Sequence, residues 1–240
     1  MRAAIIQPSF FPWRGYFDII ATVDVFVYLD DVQYTKRDWR NRNVIKTPVG
    51  PRWLTVPTQA SDRSTIIRET LIDYSDPFEI RHIRQVEAAY HGARYKDHAV
   101  RLLKDTYQER YGSIGDLAIA TTAHTCRYLG ITTPTLRSSE MGVSGAKTDR
   151  LLAILAKVGA STYVSGPSAD AYLDKPAFSE RGIQLEYKNY DYQAYSQLWG
   201  DFLGQVSILD LIANVGMDSR HFLMSASNAI LAEANHHTTD

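Results

Sequence analysis

Hydrophobic positions near the N-terminus follow a strand–helix–strand pattern. Apolar residues are continuous over residues 3–6 and recur at helical spacing over 15–23, and the segment 24–29 is continuously apolar after Asp24. A continuous run of β-branched and aromatic residues is typical of a strand that is covered on both faces. This order predicts a βαβ unit, in which a right-handed crossover joins two parallel strands.

The next apolar segments predict a hairpin at the edge of the sheet. Two strand-like segments, residues 43–46 and 52–57, flank a turn that contains two prolines and a glycine. Residues 65–72 are predicted to add one more strand.

A helical block then interrupts the α/β pattern. Helical spacing predicts helices over residues 76–90, 97–110 and 113–129, with Gly130 as a C-terminal stop. We therefore expect a mainly helical insertion at about residues 76–130 within a single α/β domain that spans residues 1–240.

The α/β pattern returns after this block. It predicts, in order, a helix over residues 149–158, a strand over 161–164, a turn and short helix over 165–172, a strand over 183–187 and helices over 207–212 and 218–232. The fold class that this order predicts is α/β, with a parallel, Rossmann-like sheet.

Composition narrows the class of protein. The formal net charge of -1 argues against extended nucleic-acid binding. The single cysteine, Cys126, permits no intramolecular disulfide, which fits a cytoplasmic protein. We expect no membrane insertion, because no stretch approaches about 18 uninterrupted apolar residues.

The histidines show no metal-binding spacing. The seven of them include no HExxH or HxH pattern, so we predict no metal site. His82 and His98 are expected on exposed helix faces, and His236 and His237 lie in the C-terminal tail.

Residues 7–16 form the first candidate binding segment, since they join a predicted strand to a helix. Ligands of open α/β sheets bind at the carboxyl ends of strands. The candidate substrate-binding residues here are Gln7, Trp13 and Tyr16. The segment lacks the glycine pattern of dinucleotide and P-loop sites, and a rigid turn packed by its own aromatic rings is equally consistent with it.

A basic and aromatic segment follows the second predicted strand. Residues 33–46 carry five Lys or Arg against one Asp, a local charge of about +4. Arginine suits phosphate or carboxylate, and aromatic rings can stack on a base or a sugar. A solvated basic loop is the alternative. The candidate substrate-binding residues are Gln33, Tyr34, Lys36, Arg37, Trp39, Arg40, Asn41 and Arg42.

Asp30 and Asp31 directly precede this segment and are the candidate catalytic residues. Adjacent residues of an extended chain point to opposite faces, so we expect them not to share one ligand. One of the two is expected to face the cleft as a general base or hydroxyl acceptor, and the other to cap a turn.

A third segment again runs from a strand into a glycine turn and a helix start. Its backbone amides and hydroxyls could hold phosphate or carboxylate. The candidate substrate-binding residues are Ser165, Gly166, Ser168 and Tyr172. The alternative is that Ser168 only caps the helix.

Several motifs together resemble the WbqC-like family of bacterial proteins. They are Gln7-Pro8, Pro12-Trp13-x-Gly15-Tyr16-Phe17, Leu29-Asp30-Asp31-Val32-Gln33-Tyr34, Trp39-x-Asn41-Arg42-Asn43, Trp53-Leu54-Thr55-Val56-Pro57, Tyr163-x-Ser165-Gly166 and Ser207-Ile208-Leu209-Asp210-Leu211-x-x-Asn214-x-Gly216. The resemblance extends over nearly the whole chain. It implies a role in surface-polysaccharide (O-antigen) or related sugar biosynthesis, such as attaching glycine or another acyl group to an amino sugar.

Three functions remain open at this level. The first is a transferase acting on a nucleotide-linked or otherwise phosphorylated amino sugar. The second is an ATP-dependent nucleotidyltransferase or ligase of HIGH-type architecture, although the turn at residues 12–16 contains no histidine. The third is a non-catalytic protein that binds a sugar nucleotide or RNA. No cofactor is evident, and ATP and a nucleotide-sugar are the candidate phosphate-bearing ligands.

Overall fold

The computed structural model describes residues 1–62, 64–171 and 173–224. Tyr172 and the greater part of the helix predicted over residues 218–232 lie outside these ranges, as do His236 and His237. The strands of the described chain are β1 (Arg2–Ile6), β2 (Val25–Tyr28), β3 (Arg42–Thr47), β4 (Gly50–Thr55), β5 (Thr135–Arg137), β6 (Thr162–Ser165) and β7 (Gln184–Tyr187). Its helices are α1 (Arg14–Thr22), α2 (Phe78–Ala89), α3 (Lys96–Thr106), α4 (Ile114–Leu129), α5 (Lys147–Val158), α6 (Lys175–Glu180) and α7 (Ile208–Val215).

A parallel sheet of five strands forms the centre of the fold, in the order β5-β2-β1-β6-β7. Alternate residues of each strand face opposite layers. Ala4 and Phe26 pack with α1 and α4 on one face, whereas Ala3 and Val27 pack with α5 and α6 on the other. Two helical layers therefore cover a parallel sheet, which confirms the predicted Rossmann-like α/β class.

Helices α2, α3 and α4 follow one another between β4 and β5. Their buried residues Phe78, Leu103 and Leu117 belong to the same hydrophobic core as Phe26 of the sheet. Helix α4 has clear local signals at both ends. The Ser113 hydroxyl accepts a hydrogen bond from the amide of Asp116 at 3.1 Å, and Gly130 takes the left-handed conformation that ends a helix.

Two predictions about strands are wrong. The hairpin of β3 and β4 forms its own antiparallel sheet and does not extend the edge of the five-stranded one. It is held instead by side-chain packing, since Ile45 and Leu54 are buried in the core. Residues 65–72 form a short 3-10 helix at Ile67–Glu69, flanked by isolated bridges, where the sequence predicted a strand.

His82 is buried, so its predicted place on an exposed helix face is also wrong. Only 1% of its surface is exposed. Its Nε2 lies 3.1 Å from the Thr55 carbonyl oxygen and its Nδ1 lies 2.8 Å from the Tyr107 hydroxyl. A neutral ring that is protonated at Nε2 satisfies both partners, because Nδ1 can then accept from the hydroxyl. His98 is half-buried, with Nδ1 2.7 Å from the Tyr128 hydroxyl.

The burial of His82 predicts a loss of stability in mild acid. Burial lowers the pKa of His82 to about 4, whereas an unfolded histidine titrates near 6.5. The neutral His82 ring therefore makes its full contribution to the free energy of unfolding above about pH 6.5, and this contribution is lost progressively as the pH falls to about 4. The total loss should be about 3 kcal/mol. Urea unfolding at pH 7 and pH 4 measures it.

A His82→Gln variant is the control, because glutamine has no charge to gain at these pH values. We expect its free energy of unfolding to be lower than that of the unsubstituted protein at pH 7 but to fall less between pH 7 and pH 4. Equal losses in the two proteins would show that His82 is not the group that titrates.

Candidate functional site

A cavity of about 980 Å³ opens at the carboxyl ends of the central strands. The chain leaves β1 towards one edge of the sheet and leaves β6 towards the other, so the strand order reverses between them. Ligands of doubly wound sheets bind in the crevice at such a reversal. Besides Gly166, the polar and aromatic wall residues are Gln7, Ser9, Trp13, Tyr16, Trp39, Arg40, Asn43, Lys147, Thr148, Arg150, Tyr163, Ser165, Ser168, Tyr190 and Gln205.

The segment after β1 is fixed by hydrogen bonds from distant parts of the chain. Asn43 Nδ2 donates to the carbonyl oxygens of Phe10 at 3.2 Å and Phe11 at 2.9 Å. The Ser207 hydroxyl also donates to the Phe11 carbonyl, at 2.8 Å. Phe11 has a φ of 36°, which bulky residues rarely adopt and which the surrounding structure must impose. The segment is therefore a rigid support for the cavity wall.

Two glycines make room for aromatic rings in this wall. A Cβ on Gly15 would lie 2.4 Å from the Trp13 ring, and one on Gly166 would lie 2.8 Å from the Tyr190 hydroxyl. The Trp13 and Tyr190 rings pack edge to face with centroids 4.9 Å apart. Gly15 and Gly166 are thus required by close packing against the two rings.

The charged residues of the described wall are all basic: Arg40, Lys147 and Arg150. The side chain of Arg40 is only 12% exposed, and its nearest carboxylate, Asp38, is 3.8 Å away. Its Nε has no hydrogen-bond partner. Burial lowers the pKa of Arg40 from its ordinary value, which reflects the poor solvation of this charge. The wall therefore favours an anionic ligand.

Lys147, Thr148 and Arg150 come from the start of α5, which the sequence interpretation missed. The turn before the helix contains two glycines with positive φ, and Lys147 itself has a φ of 50°. No side chain caps the helix, so its first amide groups are free to bind an anion. The signal was present in Gly142-Val143-Ser144-Gly145-Ala146-Lys147-Thr148, a glycine-rich turn that runs into Lys-Thr at a helix start.

Asp30 and Asp31 lie behind the wall and do not line it. Asp30 is fully buried and accepts hydrogen bonds from the Ser139 amide at 3.1 Å, the Ser139 hydroxyl at 2.9 Å and the Ser138 hydroxyl at 3.2 Å. Asp31 forms an ion pair with Arg150 and accepts from the Ser138 hydroxyl at 2.6 Å. The two carboxylates tie the end of β2 to the turn after β5 and orient Arg150.

The cavity brings together about half of the residues that the sequence singled out. These are Gln7, Trp13, Tyr16, Trp39, Arg40, Ser165, Gly166 and Ser168. The others in the described chain lie elsewhere. Gln33, Lys36 and Arg37 are exposed, and Tyr34 is buried. Asn41 Nδ2 donates to the Val56 carbonyl at 2.9 Å, and Arg42 lies over the Trp53 ring.

Other reactive groups offer little chemistry. Within the described ranges, no three His, Cys, Asp or Glu side chains are grouped so as to hold a metal ion. Cys126 is buried, which raises the pKa of its thiol to about 12. No helix of the described chain is both long and apolar enough to cross a bilayer.

Comparison with known proteins agrees with the resemblance seen in the motifs. No solved structure matches the chain. A relative from Mycobacterium tuberculosis (strain ATCC 25618 / H37Rv), named Uncharacterized protein Rv1507c, is 44% identical over 225 residues, which cover 92% of this chain and 97% of that protein. The family model described as the WbqC-like protein family matches residues 7–222, and the chain therefore belongs to the WbqC-like protein family.

Proposed function

We propose that the cavity binds a small molecule that carries phosphate. In this proposal the protein is a transferase that modifies a phosphorylated or nucleotide-linked amino sugar by acyl or aminoacyl transfer, in surface-polysaccharide or related sugar biosynthesis. The observation that carries the proposal is the charge of the cavity wall. Arg40, Lys147 and Arg150 line it, and no described Asp or Glu does.

The three basic residues come from two separate elements. Arg40 follows β2, whereas Lys147 and Arg150 belong to α5. A phosphate between them would receive charge-assisted hydrogen bonds from both sides, each worth roughly 1.5–3 kcal/mol. It would also supply the partner that the buried Arg40 Nε lacks.

The rest of the wall suits a sugar. Trp13 and Tyr190 offer an aromatic surface, and Ser9, Ser165 and Gln205 offer hydrogen-bonding groups for hydroxyls. The volume of about 980 Å³ is at the upper end of ligand sites, which span roughly 300–1,000 Å³. The cavity is therefore large enough for a donor and an acceptor together. Holding both in place would supply much of the rate enhancement.

Asp30 and Asp31 act as positioning residues in this proposal. Their oxygens are engaged by Ser138, Ser139 and Arg150. The amine of the sugar would attack the acyl carbon and form an amide as the bond from that carbon to its carrier breaks. The departing carrier would take the electron pair and the amine proton, and the cations would stabilise the negative charge that develops on the acyl oxygen or on the carrier.

The HIGH-type alternative receives less support from the first turn of α1. Arg14 is the basic residue of that turn, and its Nη1 donates to the carbonyl oxygens of Gln193 at 2.7 Å and Phe222 at 3.3 Å. The Tyr192 ring covers its guanidinium at 4.7 Å. Arg14 therefore turns into the protein and does not line the cavity where ATP phosphates would lie.

Replacing Arg40 should lower the affinity for phosphate without lowering the stability of the fold. We expect Arg40→Met to weaken the binding of pyrophosphate at least tenfold, because charge-assisted hydrogen bonds are lost. Its melting temperature should not fall, since the substitution removes a buried and poorly paired charge. Isothermal titration calorimetry and thermal unfolding measure the two quantities.

Arg42→Met is the matched control, because Arg42 stacks on Trp53 outside the cavity wall. It should bind pyrophosphate as the unsubstituted protein does. If Arg42→Met loses as much affinity as Arg40→Met, the anion lies elsewhere on the basic segment and the cavity is not its site.

Asp30 offers a test of its role. If Asp30 is structural, Asp30→Ala should lower the free energy of unfolding by about 3 kcal/mol, because the amide and the hydroxyl of Ser139 lose their acceptor, whereas the Ser138 hydroxyl keeps Asp31. Glu140→Ala removes an exposed carboxylate from the same turn and should change little. Unchanged stability in Asp30→Ala would instead favour the catalytic role that the sequence suggested.

A further inference from the structure

Two tryptophans lie exposed beside the cavity. Trp39 is 43% exposed and Trp53 is 42% exposed, and their ring centroids are 5.4 Å apart with a tilt of 43°. The Arg42 guanidinium lies 4.0 Å from the centre of the Trp53 ring. We call Trp39, Trp53 and Arg42 the tryptophan platform. It is continuous with the cavity, because Trp39 also lines the cavity wall.

Neither ring belongs to the hydrophobic core of the described chain. In β4, Leu54 is fully buried and provides the packing, whereas Trp53 lies on the opposite, solvent-facing side. Trp39 supports the fold through its backbone, since its carbonyl oxygen accepts from the Phe10 amide at 3.0 Å. Two large aromatic rings that are exposed side by side next to a cavity are typical of a ligand-binding surface.

We propose that the tryptophan platform binds the nucleobase of a nucleoside diphosphate whose phosphates lie against Arg40, Lys147 and Arg150. This inference rests on the proposed function and names the carrier of the sugar as a nucleotide. Aromatic rings and a stacked arginine form the kind of surface on which bases stack. Trp39 and Arg40 are adjacent in the chain, and both line the cavity. Their closeness matches that of the base and the phosphates within one nucleotide.

The ring partners differ from those that the sequence suggested. Tyr34 was paired there with Trp39 as a stacking residue, but it is buried. Trp53 takes that place because the hairpin brings β4 beside the segment that contains Trp39. Trp13 and Tyr190 also line the cavity, and in this proposal they would hold the sugar.

Calorimetric titration with separate parts of the ligand tests the inference. The probes are pyrophosphate, glucosamine 1-phosphate and the nucleoside diphosphates UDP, dTDP and GDP. We expect at least one nucleoside diphosphate to bind tenfold or more tightly than pyrophosphate. Trp53→Ala and Trp39→Ala should remove most of this gain and leave the affinity for pyrophosphate unchanged. Trp53→Phe, which keeps a ring, should retain part of the gain.

Val49→Ala is the matched control, because Val49 is an exposed apolar residue of the same hairpin. It should change neither affinity. The inference is overturned if every nucleoside diphosphate binds as weakly as pyrophosphate, or if Trp53→Ala weakens pyrophosphate and nucleotide equally. It is also overturned if glucosamine 1-phosphate loses as much affinity in Trp53→Ala as the nucleotides do. Failure of pyrophosphate to bind at all would instead remove the proposed function.

Discussion

The site depends on residues 10–12, a buried segment of the loop after β1. Its carbonyl groups lie outside the sheet, so they need hydrogen-bond donors from other elements. Asn43, at the base of the hairpin, and Ser207, at the start of α7, supply them. The Phe11 amide in turn donates to the Thr121 hydroxyl of α4 at 3.2 Å. An unpaired buried carbonyl would cost about 1–3 kcal/mol. The same few bonds therefore join the sheet, the hairpin and two helices, and they set the position of the wall residues on both sides.

The cavity combines this rigid support with features that oppose stability. The Arg40 side chain is largely buried with its Nε lacking a hydrogen-bond partner, and Lys147 is held with a positive φ. Both features are unfavourable for folding, and both face the same cavity. Asp30 and Asp31 stabilise the same region by binding the turn after β5 and Arg150. A strained backbone position and a poorly paired charge that face one cavity of a well-packed fold are typical of a ligand site.

Features that depend on the local pattern of apolar residues can be predicted from the sequence. The βαβ start follows from the apolar runs of β1 and β2, and the position of the first two loops follows from the rule for parallel strands. Strand β5 could not be anticipated, because its residues Thr135 and Leu136 are exposed and form no apolar run. The burial of His82 depends on Phe10 and Tyr107, which come from other segments. Arg150 and Trp53 join the site only through tertiary packing, although the glycine-rich turn before Lys147 was a usable signal.

The bond between Ser207 and Phe11 joins residues that are 196 positions apart. Strand β1 likewise becomes a central strand only when β6, which lies far later in the chain, pairs with it. During synthesis the first loop therefore gains its supports in steps, since Asn43, His82 and Thr121 are made long before Ser207. A product truncated before α7 would keep the residues of the cavity wall but would lose the Ser207 bond that holds the Phe11 carbonyl.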